Sequence, residues 1–151
     1  MNCASVIPEL WIGPYPDDAA DFEYLKSRGV TAILSLQTEE DLAHREPGWA
    51  ESEARSAGLA FRNVPVTDFD VLDLRNKLPE CVKALDELLR AGNTVYLHCT
   101  AGVSRSPTVA AAYLYWCRNR TLEDALRRVV ETRNSVPLGD VIRRAEWPPR
   151  N

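Results

Sequence analysis

Residues 98–106, with the sequence His-Cys-Thr-Ala-Gly-Val-Ser-Arg-Ser, combine side chains that suit nucleophilic chemistry on an anion. An apolar run at 94–97 precedes them and a long apolar pattern at 107–116 follows, which predicts a strand, a tight loop and a helix start. The N–H groups of such a loop form a cradle for an oxyanion. Positive potential there favours the thiolate of Cys99. The planar guanidinium of Arg105 can bind two phosphate oxygens, so the segment predicts a phosphate-transfer site.

The specificity of this signal depends on the whole segment, because a cysteine six positions before an arginine is by itself a weak pattern. The alternative is a buried cysteine in front of an ordinary helix that Ser104 or Ser106 caps. The full set of residues around Cys99 favours the phosphate site. We expect the substrate phosphate to contact a run of seven residues, namely Thr100, Ala101, Gly102, Val103, Ser104, Arg105 and Ser106. Gly102 allows close backbone approach, and the Ser106 hydroxyl can donate to the sulfur.

A phosphate-transfer site also needs a proton donor for the leaving group. Asp68 and Asp70 lie in the loop after the third predicted strand, and Asp73 follows closely. A loop separate from the nucleophile is the expected location of a general acid. Residue type and position leave both Asp68 and Asp70 open.

The segment at 98–106 resembles the signature loop of the cysteine-dependent protein tyrosine phosphatases, and its Ala-Gly-Val-Ser-Arg-Ser-Pro run resembles the dual-specificity branch. This resemblance implies a protein-tyrosine-phosphatase-like fold and hydrolysis of phosphotyrosine and phosphoserine or phosphothreonine through a phosphocysteine. It implies Cys99 as the nucleophile and Arg105 as the phosphate ligand, with no metal or other cofactor. It also implies that His98 orders the loop from beneath.

Residues 67–75 are similar to the acid loop of the plant glucan (starch) phosphatases, in which the first aspartate of Asp-Phe-Asp is the acid. This similarity implies Asp68 as the general acid and leaves Asp70 to cap or brace the loop. The chain departs from that group at Ser104, where glucan phosphatases carry glycine and phosphoprotein-directed members carry serine. We therefore expect a phosphorylated protein as substrate, with a phosphoglucan as the alternative and phosphoinositides or RNA 5′-phosphates behind them. A catalytically idle phosphate-binding module and a thiol-redox protein are the alternatives of other classes.

Composition supports one globular domain over residues 1–151, since 45% of the residues are hydrophobic and 26% are charged. The resemblance implies that this single domain is a dual-specificity-phosphatase-like catalytic domain. The net charge of −4 argues against nucleic acid as a partner. The arginines at 127–128, 133 and 143–144 could add to a local cationic phosphate site, but arginines on helices are more often solvated, and we expect the solvated role for them. No membrane-spanning or signal-like segment is evident, so we expect a cytoplasmic or otherwise reducing compartment and no membrane partner. The sequence leaves the oligomeric state open.

Strand patterns alternate with helix patterns along the chain. Strands are predicted at 6–13, 30–36, 59–66 and 94–98, and helices at 17–25, 49–57, 74–91, 106–117, 121–132 and 138–145, with an irregular polar stretch at 38–47. This alternation predicts an α/β fold with a central, mostly parallel sheet of about four to five strands and helices on both faces. The reactive loop follows the carboxyl end of a strand, where open α/β sheets bind ligands.

Overall fold

The computed structural model describes residues 1–148 of the 151-residue chain. Within them, alternating apolar segments form the strands β1 (Ala4–Ile7), β2 (Leu10–Gly13), β3 (Ala32–Ser35), β4 (Ala60–Asn63) and β5 (Val95–His98). The helices are α1 (Ala19–Ser27), α2 (Trp49–Ser56), α3 (Val71–Arg90), α4 (Arg105–Cys117), α5 (Leu122–Thr132) and α6 (Gly139–Arg144). The predicted domain at 1–151 ends with three residues that lie outside this described part, and its extent stays a prediction.

The five strands form one sheet in the order β1-β2-β5-β3-β4. Three of the four pairings are parallel, and only β1 runs antiparallel to its neighbour β2. The predicted α/β architecture with a mostly parallel sheet is therefore confirmed. Strand β5 lies at the centre of the sheet. The loop that follows its carboxyl end at His98 therefore lies at the middle of the edge where the parallel strands end.

The predicted single strand at 6–13 is wrong, because the chain turns at Pro8 and Glu9 and forms the antiparallel pair β1 and β2. Proline lacks a backbone N–H to donate to a strand ladder, and its fixed φ suits a turn. The hairpin places β1 at the edge of the sheet and β2 beside β5.

Helices cover both faces of the sheet, as predicted. Ile33 and Tyr96 belong to an apolar cluster that includes residues of α1 and α2. Leu34 and Leu97, the next residues along each strand, belong to the cluster that includes residues of α3, α4, α5 and α6. This alternation follows from the two-residue period of a strand. Every residue of α4 from Arg105 to Leu114 is buried, which confirms the prediction of a central core helix.

Helix α3 begins three residues before the predicted start, because Asp70 caps it. The Asp70 carboxylate accepts a hydrogen bond from the N–H of Asp73 at 3.0 Å. Side-chain caps of this kind stabilise a helix by about 1 kcal/mol. The capped start of α3 directly follows the loop that contains Asp68.

None of the helices found in residues 1–148 has the length and apolarity that crossing a bilayer requires.

Candidate active site

The loop between β5 and α4 is held from outside by its carbonyl groups. The carbonyls at 100–103 accept one hydrogen bond from the N–H of Tyr15 at 3.0 Å, two from the Arg133 guanidinium at 2.9 Å and one from the N–H of Val136 at 2.7 Å. In a trans peptide unit the N–H points opposite to the C=O. The amides at 101–104 are therefore directed inward, and within residues 1–148 no protein oxygen accepts from them. The loop thus presents free donors, as an anion cradle requires.

Arg133 contributes to this arrangement, and the prediction of a solvated surface role for it is wrong. Its Nε donates to the carbonyl of Gly102 and its Nη2 to that of Ala101. Arg133 follows the last turn of α5 in an extended conformation, so its side chain leaves the helix surface and reaches the loop.

Gly102 is required at its position by both backbone conformation and space. Its φ is +70°, in the left-handed region that side chains disfavour. A Cβ at this residue would lie 2.5 Å from the carbonyl carbon of Gly13. Glycine at position 102 therefore allows the loop to pack directly against the end of β2.

Cys99 lies at the floor of the cradle, directly after β5 and only 3% exposed. Its Sγ is 3.4 Å from the Ser106 hydroxyl, within hydrogen-bond distance for sulfur. Ser104 occupies the N-cap position of α4 but its side chain makes no capping hydrogen bond. The alternative in which Ser104 or Ser106 merely caps the helix therefore does not describe this site, because the Ser104 side chain caps nothing and Ser106 contacts the sulfur.

The Arg105 guanidinium is buried beside the loop and is held along one edge. Nη1 donates to Asp41 Oδ2 at 2.8 Å and to the Val66 carbonyl at 2.8 Å, and Nη2 donates to Asp41 Oδ1 at 3.2 Å. Arg105 Nε is buried and has no hydrogen-bond partner in the described residues. A buried unpaired donor on a charged group is costly, and an oxyanion bound beside Arg105 would offset that cost.

Asp41 is not among the predicted site residues, because it lies in the polar stretch at 38–47 that was predicted to be irregular. Its side chain is 9% exposed and pairs with both terminal nitrogens of Arg105. Burial by itself favours the neutral acid, but hydrogen bonds from Arg105, Thr38 and Thr100 outweigh burial and lower the pKa of Asp41 to about 2. The available signal was the Thr-x-x-Asp pattern that begins three residues after the carboxyl end of β3.

The three candidate acids, Asp68, Asp70 and Asp73, contact different partners. Asp68 Oδ2 lies 3.3 Å from Arg105 Nη2, and its side chain is 37% exposed. Asp70 is occupied as the cap of α3, and Asp73 accepts from the N–H of Thr67 at 2.7 Å. Of the three, Asp68 is the one that an ion pair joins to the Arg105 side chain.

His98 lies beneath the loop, fully enclosed. Its Nδ1 lies 2.9 Å from the Cys99 carbonyl, and because a carbonyl only accepts, the ring proton is on Nδ1. Burial lowers the pKa of His98 from 6.5 to about 4, and the hydrogen bond to Cys99 offsets only part of that effect. His98 is therefore neutral at physiological pH and supports the loop as a hydrogen-bond donor.

We expect His98 to make the fold acid-sensitive. The unfolded chain takes up this proton near pH 6.5 and the folded protein near pH 4, so the free energy of unfolding falls as the pH falls through this window. The total loss from His98 is about 3 kcal/mol. Denaturant unfolding between pH 7 and pH 4.5 measures it. His98→Gln should flatten the dependence and His44→Gln, at the chain's other and exposed histidine, should not; equal slopes in both variants contradict the assignment.

Comparison with known proteins gives a consistent result. The sequence profile of the family described as "Dual specificity phosphatase, catalytic domain" matches residues 10–141. A phosphoglucan phosphatase DSP4 of the chestnut Castanea sativa is 32% identical over 149 residues, covering 96% of this chain and 40% of that protein. The human dual specificity protein phosphatase 5 is 28% identical over 131 residues, covering 87% of this chain and 31% of its own length.

Among solved structures, that of Tk-PTP in its active form matches with a TM-score of 0.74 at 22% identity, and covers 93% of this chain and 90% of that one. This likeness confirms the predicted protein-tyrosine-phosphatase-like fold. The chain spans less than half the length of the curated relatives described above.

Proposed function

The chain belongs to the dual-specificity phosphatase catalytic-domain family, and from this we propose that it hydrolyses phosphate monoesters through a phosphocysteine on Cys99. The observation that carries the proposal is the unpaired, buried Nε of Arg105 beside a loop of inward-directed amides. These donors belong to the loop that directly follows Cys99 and to the first residue of α4. Positive potential of this kind favours a thiolate and binds the three charged oxygens of a phosphoryl group.

In the first step we assign the attack to Cys99. Its Sγ forms a bond to phosphorus while the bond from phosphorus to the leaving oxygen breaks. The carboxyl proton of Asp68 passes to that oxygen, so the alcohol or phenol leaves neutral. Arg105 and the loop amides hold the equatorial oxygens throughout.

In the second step a water oxygen attacks phosphorus and the bond to sulfur breaks. The Asp68 carboxylate accepts a proton from the water, so inorganic phosphate and the Cys99 thiolate are released and Asp68 is ready for another cycle. The Ser106 hydroxyl, 3.4 Å from the sulfur, stabilises the departing thiolate by donating a hydrogen bond. No step needs a metal.

We assign phosphorylated proteins as the substrate class, with phosphotyrosine and phosphoserine or phosphothreonine as target residues. Ser104 supports this choice, because resemblance associates serine before the loop arginine with phosphoprotein-directed members. Phe69 follows Asp68 directly and has a left-handed backbone (φ 61°). Because its side chain is 99% exposed, it offers an aromatic surface beside the proposed acid. Such a surface can pack against a phosphotyrosine ring.

A phosphoglucan is the second candidate, and a specific observation favours it. The chestnut relative at 32% identity is a phosphoglucan phosphatase, and an exposed aromatic side chain can also stack on a sugar. A catalytically idle phosphate-binding module is the alternative of another class. The presence of Cys99, Arg105 and Asp68 together argues against it.

For its surroundings we propose a reducing compartment such as the cytoplasm. Cys3, Cys81, Cys99 and Cys117 are all free thiols, and the reaction needs Cys99 reduced. The negative net charge favours no nucleic-acid partner.

Turnover of a small aryl phosphate in the presence of EDTA tests the activity. We expect hydrolysis that EDTA leaves unchanged, and bound phosphate without turnover would favour the idle module. Phosphotyrosine, phosphoserine and phosphothreonine peptides compared with solubilised phosphorylated starch then test the substrate class. We expect the higher kcat/KM on the peptides; the opposite order assigns the protein to phosphoglucan.

A further inference from the structure

A cavity of about 500 Å³ lies on the face of the sheet that α1 and α2 cover. Its walls are formed by the end of β3, the strand β4, the polar stretch at 38–47 and the start of α2. Ligand-binding pockets commonly have volumes of roughly 300–1,000 Å³, so the cavity is large enough for a ligand. Cys99, Arg105 and Asp68 do not line it, and the reaction proposed above gives it no role.

Two buried polar atoms on residues of the cavity wall have no hydrogen-bond partner. Within residues 1–148, four buried side-chain nitrogen or oxygen atoms lack one, and Gln37 Oε1 and Arg45 Nε are two of these four. Both residues line the cavity. Because an unpaired buried donor or acceptor is costly, a ligand that gives Gln37 a donor and Arg45 an acceptor would offset that cost.

Gln37 is held in place by every polar group except that side-chain oxygen. The residue is only 2% exposed. Its Nε2 donates to the Thr100 hydroxyl at 3.1 Å, and its backbone N–H donates to the Ser35 hydroxyl at 3.2 Å. Its backbone carbonyl accepts from Asn63 Nδ2 at 3.0 Å. A ligand bound to Gln37 therefore contacts the same amide that holds Thr100, the first residue of the catalytic loop after Cys99.

The cavity adjoins the free edge of β4, which is the outermost strand of the sheet and pairs only with β3. The N–H groups of Ala60 and Val64 donate to carbonyls of the β3 segment, each at 3.0 Å. Because alternate N–H groups of a strand point in opposite directions, those of Phe61 and Asn63 point away from β3. Phe61 and Asn63 also line the cavity. An unpaired strand edge is a template for an added strand, and a side chain of that strand can enter the cavity.

The charges around the cavity favour a basic ligand. Glu39, Glu46 and Glu51 line it. Arg45 is the one cation among the described lining residues, and an ion pair with Asp17 already offsets its charge. Complementary charge steers binding and excludes ligands of like charge. The cavity is therefore unsuited to a second phosphate and suited to lysine and arginine side chains.

We propose that the cavity and the edge of β4 bind an extended, unphosphorylated, basic segment of a partner protein as an added strand. Every residue of such a segment carries an N–H and a C=O, so the segment can pair with β4 and also satisfy Gln37 and Arg45. One apolar side chain packs against Trp49 and Phe61 inside the cavity, and the basic side chains pair with the three glutamates. An oligosaccharide also offers donors and acceptors, but it carries no charge for the glutamates and cannot pair with a strand edge.

A library of synthetic, unphosphorylated nonapeptides tests the proposal. The peptides that the protein retains are sequenced, and the preferred one is titrated by calorimetry. We expect enrichment of lysine and arginine around one apolar position. Ala43→Trp places a large side chain into the cavity from an exposed position and should weaken binding on the order of tenfold. Glu46→Lys reverses one charge of the cavity and should weaken binding about fivefold.

Glu131→Lys is the matched control, because it makes the same charge change at an exposed position of α5, on the opposite face of the sheet. Its affinity for the peptide should equal that of the wild type. Thermal unfolding shows whether each variant is folded, and if Ala43→Trp is not, the result for Glu46→Lys decides.

N-methylation along the preferred peptide tests strand pairing. Only the N–H groups that face β4 are needed, so the loss of affinity should alternate from one residue to the next. The proposal is overturned if no peptide is retained, if acidic peptides are preferred, or if folded cavity variants bind as the wild type does. Losses that do not alternate, or tighter binding of maltoheptaose in the cavity, overturn it too. A protein that binds these peptides but hydrolyses no phosphate monoester contradicts the proposed function and leaves this inference intact.

Discussion

Replacing Cys99 by serine is expected to abolish turnover while phosphate binding survives. The change exchanges one atom, and the serine hydroxyl stays protonated at neutral pH, so the nucleophile is lost. The donors that hold the phosphate, the amides at 101–104 and Arg105, remain in place. Loss of the nucleophile in covalent catalysis lowers kcat by at least ~10⁴-fold. The dissociation constant for inorganic phosphate should stay within about threefold, because ligand contacts do not depend on the sulfur bond.

The measurements are steady-state hydrolysis of an aryl phosphate and calorimetric titration with phosphate. Cys117→Ser is the matched control, because Cys117 is a free, partly exposed thiol at the far end of α4. Its activity should equal that of the wild type. Activity in Cys99→Ser within tenfold of the wild type would exclude a phosphocysteine, and lost phosphate binding in the same variant would show that the cradle depends on the sulfur.

The part of the site that could be read from sequence is the part that is contiguous in sequence. Residues 98–106 comprise the end of β5, one loop and the start of α4, and local apolar periodicity suffices to predict all three. The carboxyl end of a central parallel strand is also where α/β sheets bind ligands. The position of Cys99 in the fold therefore followed from local pattern and general topology.

Asp41 could not be predicted in the same way, because its role depends on pairing between distant segments. Strand β3 lies parallel to β5 with Ser35 opposite His98, so the residues that follow each strand emerge side by side. That adjacency brings Asp41 to Arg105, 64 positions later in the chain. The strand order that creates it is a property of the whole sheet. The Thr-x-x-Asp pattern after β3 is a local sign of a structured turn, but it does not identify Arg105 as the partner.

The contacts of Gly102 and Arg133 escaped prediction for a related reason. The sequence indicates that Gly102 permits a close approach, but only the packed structure identifies the end of β2 as the partner. Arg133 resembles any arginine at a helix end, and its function depends on where α5 ends relative to the loop. Tertiary contacts between loops thus account for most of what local pattern did not predict.

Asp68, the proposed general acid, is the other residue whose replacement should have a large effect on the rate, and the size of that effect should depend on the leaving group. Asp68→Ala is expected to lower kcat on the order of 10²- to 10⁴-fold for substrates whose leaving oxygen needs a proton, such as phosphoserine peptides. For p-nitrophenyl phosphate, whose leaving phenolate is stable, the loss should be much smaller. The physical reason is position, since Asp68 Oδ2 is 3.3 Å from the Arg105 guanidinium, the proposed phosphate ligand, and the Asp68 side chain is partly open to solvent.

Asp70→Ala provides the matched comparison, because Asp70 lies only two residues after Asp68. Its carboxylate caps α3, so its loss should cost about 1 kcal/mol of unfolding free energy and leave the dependence on the leaving group intact. The two variants should therefore show opposite patterns. Asp68→Ala should lower kcat at a nearly constant free energy of unfolding, and Asp70→Ala should lower the free energy of unfolding with nearly the same dependence of kcat on the leaving group. A leaving-group series for kcat together with denaturant unfolding measures both. If Asp70→Ala steepens the leaving-group dependence and Asp68→Ala does not, the acid is Asp70, and the helix cap must open during each turnover to release it.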